Sequence, residues 1–146
     1  MDFNVIEGVY GTKSQLPAIA GNEGVAVVQK IGKSVTSLKP GDWVIPSGSG
    51  FGTWRESAIS DEDSLLKVPN NIPAVYASTL SVNPCTAYRL LRDFRNLKPG
   101  DVIIQNGANS MVGMAVIQMA LQLGIKTINI IRSDRYVGYF FHLKSN

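Results

Sequence analysis

Residues 101–131 carry the pattern that most restricts the fold of this chain. The apolar run at 102–105 is followed by a glycine-containing turn at 106–113. An apolar helical segment at 114–123 comes next, and a second apolar run at 126–131 completes the pattern. Strand, turn, helix and strand in this order predict a βαβ unit, whose two strands are parallel and joined by a right-handed crossover.

The first eighty residues have a different pattern, in which short β-rich runs are separated by turns containing Gly or Pro. Several short strands at this spacing are typical of a small barrel or sandwich. We expect strands at 25–31, 43–45, 54–59 and 65–68. From residue 74 the spacing of apolar residues becomes helical, and helices are expected at 74–80 and 86–94, with Pro84 at the break between them.

The sequence Leu-Lys-Pro-Gly-Asp occurs twice, at residues 38–42 and 97–101. Adjacent Pro and Gly favour a tight turn, because Pro fixes one backbone angle and Gly tolerates a positive one. We interpret the two copies as the same turn chemistry used twice and not as an internal repeat. Each copy is expected to end one run and to begin a strand.

Composition excludes several classes of function. One cysteine, Cys85, and one histidine, His142, cannot supply a disulfide, a four-ligand zinc site or a Ser-His-Asp triad within residues 1–130. The formal charge of +3 includes no block of five Lys or Arg residues, so no nucleic-acid surface is predicted. No apolar run approaches the roughly 20 residues of a membrane helix, and the start of the chain lacks the basic residues of a targeting peptide.

The turn at 106–113 lies where many βαβ units bind a nucleotide phosphate. Backbone N–H groups and the helix dipole attract an anion there, and small residues let a diphosphate approach. Gly107 and Gly113 are present, although the full fingerprint has three glycines. Two interpretations stay open: a nucleotide-binding turn, or a tight strand-to-helix turn in which Gly113 allows close packing. We interpret Met111 as a core residue that would also crowd the phosphates.

The end of the second strand bears on the choice of nicotinamide cofactor. A carboxylate at that place bonds the ribose 2′-hydroxyl of NADH, whereas Arg accommodates the 2′-phosphate of NADPH. The strand is followed by Arg132, Ser133, Asp134 and Arg135. A guanidinium binds phosphate through paired hydrogen bonds and a serine hydroxyl can add another, so the phosphorylated cofactor is favoured. The alternative is an exposed basic loop.

Three arginines recur every third residue, at Arg89, Arg92 and Arg95, so they lie roughly on one face of the predicted helix. Such a charged run is usually a solvated face. The alternative is a landing surface for an acidic carrier protein or a ligand phosphate.

Six segments together resemble the mitochondrial trans-2-enoyl thioester reductases of the medium-chain dehydrogenase/reductase superfamily. They are Glu7–Gly11, Gly21–Gly24, Leu38–Pro46, Gly52–Arg55, Val82–Tyr88 and Thr127–Arg132. The resemblance implies a mixed α/β fold. A partial GroES-like β-barrel domain at 1–80 would be followed by the first βαβ of a Rossmann domain at 81–135, and residues 136–146 would form an atypical tail.

The resemblance also implies a reaction, the NADPH-dependent reduction of trans-2-enoyl thioesters in mitochondrial fatty-acid synthesis. The substrate would be carried on coenzyme A or acyl carrier protein, and relatives of this kind are homodimers. Asn22 stands where zinc alcohol dehydrogenases have a histidine, so no metal is expected. The matching site residues are Tyr10 as the general acid, Asn83 as a cofactor contact, Asn109, Ser110, Met111 and Val112 as the phosphate-binding turn, and Arg132, Ser133 and Asp134 as the 2′-phosphate segment.

Two alternatives accompany this hypothesis. The pattern stops after one βαβ unit and Met111 replaces a small residue of the family, which would suit a truncated, non-catalytic remnant or an interaction module. A quinone-reducing relative in the same superfamily would share the nucleotide turn without needing Tyr10.

Overall fold

A computed structural model describes residues 2–11 and 15–133 of the chain. The chain divides into two compact units, Met1–Ser81 and Val82–Asn146. The tail expected at 136–146 lies outside the described residues, as do Asp134, Arg135 and His142. The helices and strands in chain order are α1 (Asp2–Ile6), β1 (Ala26–Val27), β2 (Trp43–Pro46), β3 (Leu65–Val68), α2 (Ala74–Ser78), α3 (Asn83–Arg92), β4 (Val102–Gln105), α4 (Met111–Gln122) and β5 (Lys126–Asn129).

The first unit is built on a three-stranded antiparallel sheet in the order β1-β2-β3. The central strand β2 is paired along its whole length, from Trp43 opposite Val68 to Pro46 opposite Leu65. Ile45 and Val68 pack with Ala77 of α2 in the core of this unit. Pro46 closes β2, a place where its missing N–H is tolerated.

Predictions for this unit are confirmed at β2, at β3 and at α2, which forms within the expected 74–80, and are wrong for the other two strands. The strand expected at 25–31 is only two residues long, and 54–59 forms no described strand. The backbone N–H groups of 52–54 instead donate hydrogen bonds to the carbonyls of Ala20 and Gly21 and do not continue as a strand ladder. We call the two segments that these bonds join, 19–24 and 47–55, the clasp. The helix α1 was not predicted, because five residues are too few to display a helical period.

The repeated turn has the same geometry in both places, as its chemistry predicts. Gly41 and Gly100 have φ angles of 91° and 95°, in the left-handed region that favours glycine. The Asp42 carboxylate accepts a hydrogen bond from the Lys39 N–H at 3.0 Å. In the second copy Asp101 accepts from the Lys98 N–H at 2.8 Å. Pro followed by Gly with positive φ defines a type II turn, and each copy leads directly into a strand.

The second unit contains the βαβ arrangement that the sequence predicts. Strands β4 and β5 are parallel, with Val102 opposite Lys126 and Gln105 opposite Asn129. Helix α4 connects them and packs on α3 through Ala87, Leu91 and Val116. Gly124, with φ of 69°, follows the end of α4 as expected.

The helix limits in this unit differ from the predicted ones for local reasons. Helix α3 begins at Asn83, because Pro84 occupies the first turn, where a missing N–H costs no hydrogen bond. Helix α4 begins at Met111 because Ser110 caps it. No helix among residues 2–11 and 15–133 is long and apolar enough to cross a membrane.

Asp42 connects its turn to the neighbouring strand. Its carboxylate is buried and lies 2.8 Å from Nζ of Lys67 on β3. The hydrogen bond from Lys67 holds the pKa of Asp42 below its usual range, with a smaller contribution from the Lys39 N–H. A lowered folded-state pKa stabilises the fold fully above the unfolded-state pKa, and this stability is lost as pH falls toward the folded-state value.

We therefore expect the free energy of unfolding to decrease as the pH is lowered below about 4. Asp42→Asn should lose stability at neutral pH and show a weaker acid dependence, because the paired carboxylate is gone. Asp101→Asn is the matched control, since Asp101 takes the same turn bond but no ion pair with any described residue. Urea unfolding between pH 3 and pH 7 measures both, and equal losses would contradict the role of Lys67.

Candidate functional site

An open cleft of about 570 Å³ lies at the carboxyl ends of β4 and β5. In open α/β sheets, ligands bind in the crevice outside the carboxyl ends of the strands. The cleft is lined by Asn106, Gly107, Asn109, Ile130, Ile131, Arg132 and Ser133. Its lining therefore combines the turn after β4 with the segment after β5.

The turn after β4 presents the start of a helix to this region. Gly107 has φ of 56°, and its carbonyl accepts the N–H of Ser110 at 2.9 Å. The Ser110 hydroxyl oxygen accepts the N–H of Gly113 at 3.0 Å, which leaves the hydroxyl hydrogen able to donate. The N–H groups of Met111 and Val112 are in the first helical turn and have no carbonyl of their own helix to bond. This end of α4 is suited to an anion.

Gly113 is required by the close approach of α4 to the turn. A Cβ atom at this position would lie 2.6 Å from the carbonyl oxygen of Ala108, a backbone atom that cannot rotate away. Nε2 of Gln105 donates to the Gly113 carbonyl at 3.1 Å and to Oδ1 of Asn129 at 2.8 Å. Gly113 therefore has the packing role considered above. Its close approach to Ala108 and its hydrogen bond from Gln105 hold the start of α4 against β4 and β5.

The predicted cofactor residues divide into two groups. Asn109, Arg132 and Ser133 line the cleft. Ser110, Met111 and Val112 form the cap and first residues of α4 beside it. The interpretation of Met111 as a core residue is wrong, because 56% of it is exposed and Val112 instead packs toward α3.

Asn106 and Gly107 lie in the turn predicted at 106–113, whereas two other lining residues, Ile130 and Ile131, were not singled out by sequence reasoning. The available signal was positional. Residues that directly follow two neighbouring parallel strands meet at one edge of the sheet, and β5 ends at Asn129, so Ile130 and Ile131 follow the strand that the sequence pattern extends to residue 131.

Two further predicted residues are not among those that line this cleft. Asn83 is the first residue of α3 and is half-buried. Tyr10 belongs to the first unit, in the loop after α1, and its ring is 40% exposed. The N–H groups of Val9 and Tyr10 both donate to the Asn4 carbonyl, at 3.0 and 3.1 Å, so this loop is folded back onto α1.

Arg89 and Arg92 lie on α3 and are exposed, whereas Arg95 follows the end of the helix, so the single helix face predicted for the three arginines holds only two of them. Nε of Arg89 bonds the Asp93 carboxylate one turn later. The Arg92 guanidinium lies 5.3 Å from the centre of the Tyr88 ring. These local partners fit the solvated face better than a dedicated anion surface. No cluster of three His, Cys, Asp or Glu side chains with metal-binding geometry occurs among the described residues.

Comparison with known proteins supplies independent findings. Residues 1–70 match the family model of the alcohol dehydrogenase GroES-like domain. Over 131 residues, 90% of the chain, the sequence is 59% identical to the mitochondrial enoyl-[acyl-carrier-protein] reductase of Xenopus tropicalis. Its match to the human enzyme of the same name has 58% identity. The chain spans 37% and 35% of the length of these two relatives.

Solved structures agree with the sequence relatives. The mitochondrial 2-enoyl thioester reductase heterodimer of Candida tropicalis matches 97% of this chain with a TM-score of 0.88 and 38% identity. A structure of the Etr1p/NADP/crotonyl-CoA complex matches with the same score and 39% identity. A quinone oxidoreductase of Pseudomonas syringae matches with a score of 0.83 and 30% identity. The chain covers 46% of each reductase chain and 43% of the quinone oxidoreductase.

Gly113→Ala tests the close approach that builds the turn. We expect a loss of about 1–3 kcal/mol of unfolding free energy from overpacking, which exceeds the gain of up to about 1 kcal/mol in helix propensity. Gly48→Ala is the matched control, because a Cβ there meets nothing within 4 Å. Urea unfolding measures both, and a stabilised Gly113→Ala variant would show that the contact with Ala108 is not restrictive.

Proposed function

We propose that this chain belongs to the family of mitochondrial enoyl thioester reductases, within the medium-chain dehydrogenase/reductase superfamily, and that it serves NADPH-dependent reduction of 2-enoyl thioesters. The chain would contribute a nucleotide-binding turn and a proton-donating tyrosine to this reaction. The observation that carries the proposal is the cleft at the ends of β4 and β5, which joins a helix N-terminus to an arginine. A relative was solved with NADP and crotonyl-CoA, which supports the same ligand classes for this chain.

The described residues fit a phosphorylated dinucleotide. The diphosphate would be held by the N–H groups at the start of α4, the Ser110 hydroxyl and the Asn109 amide. Arg132 and Ser133, at the other wall of the cleft, would hold the ribose 2′-phosphate. A guanidinium stays charged at all relevant pH values and matches phosphate geometry, which favours NADPH over NADH. Asp134 is proposed for the same segment on the resemblance alone.

Asn83 and Tyr10 would serve the reacting end of the cofactor and the substrate. The Asn83 amide can both donate and accept, as contact with a nicotinamide ribose or carboxamide requires. Bound NADPH would supply a hydride to Cβ of the enoyl thioester. The electron pair of the double bond then moves toward the thioester carbonyl, and the Tyr10 hydroxyl gives its proton to Cα. A phenol is neutral at physiological pH and therefore has that proton to give.

Partners and location follow from the same relatives. The proposed substrates are enoyl-CoA or enoyl-acyl carrier protein, the proposed compartment is the mitochondrion, and a homodimer is the proposed assembly. The Pseudomonas syringae neighbour makes quinone reduction the second candidate, since it shares the fold at lower identity. Crotonyl-CoA and a quinone, offered in turn with NADPH, separate the two activities.

Arg132→Ala tests the 2′-phosphate contact. Losing a charge-assisted hydrogen bond costs about 1.5–3 kcal/mol, so we expect NADPH affinity to fall roughly 10- to 150-fold and NADH affinity to stay unchanged. Arg95→Ala is the matched control, an exposed arginine outside the nucleotide cleft. Titration calorimetry of the wild-type chain and of both variants, each with NADPH and with NADH, measures these affinities. An equal loss for both cofactors would place Arg132 away from the 2′-phosphate.

Tyr10→Phe tests the proton donor. We expect crotonyl-CoA reduction to slow by about 10²–10⁴-fold while NADPH affinity is retained, since only the hydroxyl is removed. Tyr76→Phe, at an exposed tyrosine on α2, is the matched control. Initial rates of NADPH oxidation report the outcome. Full activity of Tyr10→Phe would exclude this phenol as the acid, and quinone reduction that ignores Tyr10 would favour the second candidate.

A further inference from the structure

The segment that carries Tyr10 has few contacts that hold it in place. We name residues 2–11 the Tyr10 arm; it consists of α1 and the loop bonded back to the Asn4 carbonyl. No residue of α1 is buried, and Phe3 is 72% exposed. Because the loop is bonded to the helix, the position of α1 determines the position of Tyr10.

Among the residues that the structure describes, the side chains of Phe3 and Asp2 connect the arm to the rest of the first unit. The Phe3 ring meets the edge of the Trp54 ring with centroids 6.3 Å apart. The side-chain Nδ2 of Asn22 donates a hydrogen bond to Oδ1 of Asp2. Asp2 is half-buried and begins α1, so the second contact fixes the start of the helix.

The other side of Asn22 is held by a rigid part of the chain. Its Oδ1 accepts the N–H of Gly50 at 2.8 Å. Only the oxygen of the amide can accept that bond, so the NH₂ group must face Asp2. The preceding residue, Gly21, is locked in turn, because its carbonyl accepts the N–H groups of Gly52 and Thr53 at 3.0 and 3.1 Å.

A substituent at Gly21 would also be blocked by the same clasp. Its φ angle is 102°, and a Cβ there would lie 2.3 Å from Oγ1 of Thr53. The Thr53 hydroxyl donates in addition to the Glu23 carbonyl at 2.8 Å. Asn22 therefore projects from backbone that has little freedom, and its amide has a single orientation that satisfies both neighbours.

We propose that Asn22 is a positioning residue, whose side chain couples the clasp at 19–24 and 47–55 to the Tyr10 arm and so sets the place of the Tyr10 hydroxyl. The meaning of that placement for proton donation rests on the proposed function; the coupling itself does not. Asparagine suits this role because one side of the amide must accept from a backbone N–H while the other donates to a carboxylate. Aspartate would set two carboxylates against each other.

The test exchanges the two partners. Asn22→Asp should raise the hydrogen-exchange rates of the Val9 and Tyr10 amides about tenfold or more and leave the β2 and β3 amides unchanged. Adding Asp2→Asn restores a donor facing a carboxylate and should return both rates to the wild-type range. Asp2→Asn alone keeps an acceptor for Asn22 and is the matched control. The measurement is residue-resolved exchange by nuclear magnetic resonance on the full 146-residue chain.

Asp2→Ala is a second test variant, for use if Asn22→Asp disturbs folding, because it does not place two carboxylates opposite each other. It removes the carboxylate that accepts the hydrogen bond from Asn22 and should raise the same two exchange rates. Unchanged rates in both variants would overturn the proposal. Exchange rates that rise in Asn22→Asp and stay high in the double variant with Asp2→Asn would also overturn the proposal. The hydrogen bond between residues 2 and 22 would then not be what protects the Val9 and Tyr10 amides.

Activity supplies the readout that separates positioning from stability. In crotonyl-CoA reduction, Asn22→Asp should lower kcat with little change in the KM for NADPH, and the exchanged pair should restore kcat. A wild-type chain that does not reduce crotonyl-CoA would count against the proposed function and not against the coupling, which the exchange rates then decide alone.

Discussion

Both units of this chain depend on a type II turn that only glycine accommodates at its third position. The turn does more than reverse the chain, because its backbone also bonds to the neighbouring strand. The Gly41 N–H donates to the Val28 carbonyl, and the Val28 N–H donates to the Asp42 carbonyl, both at 2.9 Å. In the second unit Gly100 donates to Gly124, and Lys126 donates to Asp101, both at 2.8 Å. In the second unit the bond from Lys126 to Asp101 adjoins the pairing of Val102 with Lys126, so the turn lies at the start of the register of that sheet.

The register set at 97–101 determines what can form at the opposite end of the βαβ unit. With Val102 opposite Lys126, β4 and β5 end level at Gln105 and Asn129, and their side chains bond to each other there. The two following segments then face a common cleft. The start of α4 contributes partial positive charge and Arg132 contributes a full one, so the proposed phosphate site would have positive charge on both walls. Gly113 permits this arrangement because it removes the one side chain that would push α4 outward.

Sequence reasoning succeeded where local chemistry decides the structure. Pro and Gly bound β2, β3 and β4, and each lies where the pattern places it. It failed where a segment distant in the sequence determines the local structure. Residues 54–59 read as a strand, but their neighbours at 52–54 bond to Ala20 and Gly21, a pairing that no local period encodes. Met111 read as core because its residue type is apolar, whereas its place at the first position of α4 turns it outward. Tyr10 was predicted only through resemblance, since a single tyrosine in a loop carries no pattern.

One face of the second sheet is exposed in the described chain. Parallel strands are normally covered on both faces, yet Val102, Ile104 and Ile128 are each more than half exposed in the described chain. Burial therefore stabilises β4 and β5 from the α4 side alone. The backbone nevertheless matches reductases of which this chain covers 46%, with a TM-score of 0.88. The turn at 97–101, the Ser110 cap and Gly113 all lie within this unit and constrain backbone angles directly. Apolar cover on the second face would add stability to an arrangement that these residues already specify.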